Sequence, residues 1–253
     1  MKRMVGLASA LALTVALAGT ASAISPAPFS FSTGAPDGRM AAASRPEGHH
    51  KIEIEAADDF ILTSPTVLQH ATFTGLIKGG LGEIGEVVVE IYRVFPKDSN
   101  TTRVIHVPTR VNSPSDVEFA DRTSADGGLT FTTTVLDNHF GAANSVLDGI
   151  HPLPNQTTGG DGPVAGHEVR FDVTFNNPLS LPADHYFFVP QVALKGVGGN
   201  FYWLSTPHPQ FTGDLQMWIR NSELDPDWLR VGTDIVGGTP APTFDGSFSL
   251  SSS

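Results

Sequence analysis

Two aspartates flank a proline at Asp225-Pro-Asp227, and two more, Asp137 and Asp161, fall in a long segment rich in glycine and proline. Ca²⁺ takes about six to eight oxygens from carboxylates and loop carbonyls, so these four are the candidate ligands and calcium suits them better than zinc. No EF-hand spacing accompanies them. The nine histidines are scattered, and no pair has a convincing metal-ligand spacing. Aromatic chemistry is the second option. Leu215, Met217 and Ile219 share one strand face, which puts Gln216, Trp218 and Arg220 on the other. An indole flanked by an amide and a guanidinium could stack on a sugar ring and donate to its hydroxyls. Trp228, just after the Asp-Pro-Asp turn, is a further candidate for such a surface.

Several chemistries lack their signatures. The chain has no cysteine, which removes thiol catalysis and thiolate metal sites. The G-x-S-x-G elbow of serine hydrolases is missing, and His167-Glu168 runs on into Val-Arg-Phe, a strand pattern rather than a zincin helix. Gly80-Leu-Gly-Glu-Ile-Gly85 matches G-x-G-x-x-G, but the residues after it read as a strand. A dinucleotide site needs a helix there, so we read a hairpin loop. Glycoside hydrolysis needs two carboxylates across a cleft, and the sequence singles out no pair among Asp58, Asp59, Asp137, Asp214, Asp225 and Asp227. With 15 Lys and Arg against 26 Asp and Glu, the chain is a poor partner for nucleic acid or an anionic membrane surface.

The elements that would position these residues are strands. Ile52, Ile54, Ala56, Phe60 and Leu62 alternate with Lys51, Glu53, Glu55 and Asp59. Asp58 falls on the apolar face, where it must lie at a frayed end or accept a backbone N–H. Strands are expected over 66–77, 86–95 and 129–135, and more weakly over 100–111 and 116–119. The clearest alternation puts Val169, Phe171, Val173 and Phe175 inward. Residues 179–190 and 200–205 read as two adjacent strands joined by a glycine-rich turn. Shorter strands follow at 214–220, 228–231 and 243–250, while 137–166 reads as irregular, with at most a helical turn or two over 142–148. About ten short strands with almost no helical period predict an all-β antiparallel β-sandwich or jelly roll.

Lys2 and Arg3, the apolar run 5–18 and Ala21-Ser-Ala23 make residues 1–23 a signal peptide, with the mature chain starting at Ile24. No later apolar run is long enough to insert in a membrane. Residues 24–50 read as a flexible leader ending in His49-His50, and 51–250 as a single β-sandwich domain.

Ala56-Ala-Asp-Asp-Phe-Ile-Leu62, the Leu-x-Leu-Pro-Ala-x-x-Tyr-Phe-Phe corner at 179–188, Phe201-Tyr-Trp-Leu204 and Phe244-Asp-Gly-Ser-Phe-Ser-Leu250 occur in this order. In these the chain resembles uncharacterised bacterial secreted β-sandwich proteins that often carry PEP-CTERM sorting tails. It departs from them in ending on Ser251-Ser-Ser253 without an apolar anchor. The resemblance implies fold and export and carries over no catalytic residue. The expectation is a secreted, non-enzymatic binding or matrix module, with a glycan or an extracellular protein as partner and Ca²⁺ as the one candidate cofactor. The competing expectation is a secreted hydrolase with a carboxylate pair in a jelly-roll cleft.

Overall fold

A computed structural model describes residues 28–253 apart from 82–83, 105, 151–152, 154–155 and 196–197. The expected signal peptide, residues 1–23, therefore lies outside the described residues. In chain order the strands are β1 (Ser30–Ser32), β2 (Met40–Ala43), β3 (Ile54–Leu62), β4 (Thr66–Lys78) and β5 (Ile84–Val94). They continue with β6 (Pro114–Thr123), β7 (Leu129–Ala142), β8 (Asn144–Val146), β9 (Val164–Leu181) and β10 (Asp184–Leu194). The last are β11 (Asn200–Thr206), β12 (Trp218–Asn221), β13 (Leu229–Arg230), β14 (Asp245–Gly246) and β15 (Phe248–Ser251). The one described helical element is a π-helical turn at Val231–Val236.

The chain is all-β and forms two sheets. Six strands run in the order β13-β12-β3-β10-β5-β6. The other nine centre on β4, which carries β9 and then β7 on one edge and both β15 and β11 on the other. All pairings are antiparallel except β2 with β8. Inward residues of both sheets meet in one core. Phe188 of β10 stacks on Phe248 of β15 at 4.9 Å, and Phe73 of β4 on Phe171 of β9 at 4.8 Å. The alternation of β9 holds as expected, with Val169, Phe171, Val173 and Phe175 all buried.

Several expectations need correction. β10 and β11 are consecutive but belong to different sheets, so the 179–205 stretch crosses between layers instead of forming a ladder. Gly80–Gly85 likewise links β4 to β5 across the two sheets and is no hairpin, although a strand does follow it. The expected flexible leader carries β1 and β2, and Met40–Ala43 is wholly buried against Tyr202–Leu204. Its small side chains, which read as linker composition, are what lets it lie inside the core. The described residues of 100–111 form turns and not a strand, held by Arg103 and Arg110 to Asp116. The irregular 137–166 segment begins with the second half of β7 and contains β8, and no helix forms at 142–148. β7 is an edge strand whose middle, 132–139, is exposed on both faces, so Thr133 and Val135 face solvent.

Phe171→Ala should destabilise by about 3–5 kcal/mol through lost burial and a cavity. Arg170→Ala, whose side chain is 45% exposed, should change stability by no more than about 0.5 kcal/mol. A urea titration of both variants checks the register, and equal effects would break it.

Candidate functional site

On the outer face of the six-stranded sheet, Glu55 and Asp59 are both buried. In the β12–β3 ladder Arg220 sits directly opposite Glu55 and Trp218 opposite Ala57. Trp218 does fall on the face away from Met217 and Ile219, as its spacing predicts, but that face is covered. Trp218 and Trp228 are each 1% exposed and pack with Tyr92, Phe187 and Val189. They offer no open platform for a sugar, which overturns that candidate surface. Arg220 stacks internally, its guanidinium 4.3 Å from the centre of the Trp228 ring. It also pairs with Glu55 and donates to the Tyr92 hydroxyl at 2.8 Å. Gln216 is half-buried and accepts from Thr233 Oγ1.

The proposed calcium ligands do not converge. Asp225 pairs with Arg220 at 2.7 Å, and Asp227 accepts from Arg103 at 2.8 Å and faces Arg110. Asp137 accepts the His139 N–H, while Asp161 accepts those of Leu147 and Asp148. Guanidinia and backbone donors already compensate these carboxylates, so the four do not assemble a site.

Another group does come together. β11 and β14 pair with Thr206 opposite Asp245, so His208, two residues past the end of β11, lands beside Asp245. His208 Nδ1 lies 2.6 Å from Asp245 Oδ1 and 3.4 Å from Asp214 Oδ2. The Gln210 N–H bonds Asp214 and fixes the intervening loop. Beneath lies Asp58, in the middle of β3 and wholly buried, accepting the Gly246 N–H at 2.8 Å. That is the backbone partner its place on an apolar face requires. Asp59, on the other face of β3, accepts the Leu215 N–H at 2.8 Å and meets His185 Nε2.

Burial dominates the electrostatics here. It pushes the Asp245 carboxyl up to about 9, with the nearby Asp214 charge adding to the rise. Asp58 is raised well above its ordinary value by burial and then by Asp245. Burial also raises Asp59, to about 6, against the opposing contact with His185. A cavity of about 430 Å³ opens beside this group, lined by Thr109, Asn112, His208, Asp214, Gln216 and Arg230. Trp218 forms part of its wall, and the indole Nε1 has no hydrogen-bond partner among the described residues.

Of this group the sequence had flagged Asp58, Asp59 and Asp214 only as unpaired carboxylates, and had set His185 and His208 among scattered histidines. The available signal was a carboxylate in an apolar phase, Asp58 between Ala56 and Phe60. Such a residue has to find a partner from elsewhere in the chain.

No protein-family model matches the chain, and no curated protein or solved structure matches it either.

Glu90 tests the covered outer face. Burial pushes it up to about 10, and the adjacent Glu55 adds to the rise. An unfolded glutamate titrates near about 4.3. Between these values the folded chain holds a proton that the unfolded chain has lost, so this group's contribution is complete below about 4.3 and declines as pH rises towards 10. Urea midpoints between pH 5 and pH 9 should therefore fall less steeply in Glu90→Gln than in the wild type. Parallel curves would mean that Glu90 titrates normally.

Proposed function

We propose that the chain is an exported binding module, a two-sheet β-sandwich of the jelly-roll kind that takes a hydroxyl-rich ligand, a carbohydrate, in the cavity beside His208. One observation carries this reading. The cavity gathers convergent polar side chains, from Thr109, Asn112, His208 and Gln216, on a rigid all-β scaffold. Such a combination is the usual mark of a small-ligand site. Asn112 and Gln216 each offer an amide donor and acceptor, and Thr109 adds a hydroxyl, a set that matches vicinal hydroxyls.

A second reading has its own support. His208 and Asp214 line the cavity, and the buried Asp245 behind them, raised to about 9, holds a proton 2.6 Å from His208 Nδ1, an arrangement able to feed acid catalysis through the imidazole in a hydrolase.

A glycan array probed with wild type, Asn112→Ala and Gln216→Ala separates the possibilities. The expected result is retention of a saccharide class by the wild type and a loss of about tenfold or more in affinity in each variant. Retention unchanged in both variants would place the ligand elsewhere. Turnover of an arrayed saccharide, abolished in Asp245→Asn, would favour the hydrolase. Export makes a separate prediction: N-terminal sequencing of protein recovered from culture medium should begin at Ile24, and an intact Met1 would refute cleavage.

A further inference from the structure

Buried carboxylates need partners, and this molecule satisfies them in two different ways. On the outer face of the six-stranded sheet, Glu55, Asp116 and Asp227 each meet a guanidinium, from Arg220, Arg103 or Arg110. At the β14 end no arginine or lysine forms an ion pair with Asp58, Asp59, Asp214 or Asp245 among the described residues. The ion-pair partners there are the imidazoles of His185 and His208.

We propose that His208, Asp214 and Asp245 bind a divalent first-row transition-metal ion, with Asp58 as the carboxylate behind them. The ligand atoms of the three residues all lie within 4.8 Å of one another. An ion with bonds of about 2.0–2.2 Å holds its ligand atoms roughly 3–4.4 Å apart, so small side-chain shifts suffice. The backbone already sets the three in place, through the β11–β14 pairing and the Gln210 N–H on Asp214.

A separate observation points to a missing ligand. Asp58 is 0% exposed and spends one oxygen on the Gly246 N–H, while its Oδ1 has no partner among the described residues. The charge that bears on it most is Asp245, whose own Oδ2 is also buried with no donor among the described residues and whose carboxyl meets that of Asp214. Two carboxylate oxygens without a donor at 0% exposure are costly unless a proton or a cation neutralises them. One divalent ion would compensate them as the guanidinia do elsewhere.

The donor set selects the metal. Calcium sites are built from oxygen, whereas imidazole suits zinc, nickel, cobalt and their neighbours, and carboxylates complete such sites readily. One nitrogen with two carboxylates therefore favours Zn²⁺ or Mn²⁺ over Ca²⁺. The proposal shares His208 and Asp214 with the ligand cavity but does not rest on the carbohydrate reading. Gln216→Ala keeps the two apart, because it should weaken saccharide binding and leave metal binding unchanged.

Full-length chain stripped with chelator is titrated calorimetrically with Zn²⁺, Mn²⁺ and Ca²⁺. The expected result is one saturable site for Zn²⁺ or Mn²⁺, weakened at least about tenfold in His208→Gln and in Asp214→Asn. The double variant His49→Gln/His50→Gln, at an exposed pair far along the sequence, should bind as the wild type does. Absence of saturable binding, equal affinity in both site variants, or a site that accepts Ca²⁺ and refuses Zn²⁺ and Mn²⁺ would each overturn the assignment. Should the variants fail to fold, Co²⁺ added to the wild-type chain still decides. A visible ligand-field band at one equivalent, abolished by Zn²⁺, supports the site, and no band overturns it.

Discussion

Phe188 lying flat on Phe248, with 6° between the ring planes, is the contact on which the two sheets depend. It joins β10 of one sheet to β15 of the other, and Trp203 packs edge-on against both rings. Phe73, Phe171 and Phe201 extend the same aromatic layer. Rings this close leave no room for side chains on the backbone that passes them. A Cβ on Gly75 would lie 2.1 Å from the Phe201 ring, and one on Gly246 would lie 2.2 Å from Trp203. Gly246 is therefore a glycine for steric reasons, and its close approach brings its N–H within reach of Asp58. The polar cluster is in this sense a by-product of how the aromatic layer packs.

The six-stranded sheet has no solvated face in its middle. Its inner side belongs to the aromatic core, while its outer side is roofed by the 95–116 segment and by Trp228, which donates through Nε1 to Ser115 O. Strand residues that alternate between polar and apolar are consequently buried in both phases. The polar phase is tolerated because its members pair with one another, Glu55 with Arg220 and Tyr92, and Gln191 with Glu53. Burial of charge is affordable only with such partners.

This explains what could be seen in the sequence and what could not. The inward set of β9 was legible because one of its faces is apolar without interruption and the other carries Arg170, Asp172 and Thr174. The phase of Trp218 was legible for the same reason. Its burial was not, because periodicity reports which face a residue takes and says nothing about what covers that face. β2 escaped detection since Met-Ala-Ala-Ala carries no period, and its place is set by Tyr202 and Trp203 about 160 residues later in the chain. The His208 cluster was hidden for a related reason. Its members come together through a two-residue strand pairing between β11 and β14, a contact that no local spacing encodes.

β15 lies between β1 and β4, hydrogen-bonded to both, and β1 has no other strand partner. The first described strand thus waits for residues 249–251, more than 200 positions later, before it can join a sheet. The Phe188–Phe248 contact waits with it. Closure over such separations is intrinsically slow. A polypeptide emerging from a ribosome would remain open until residues 244–251 had arrived, with its central aromatic layer incomplete. Folding would then be timed by that arrival, so this segment acts as a latch between the two sheets.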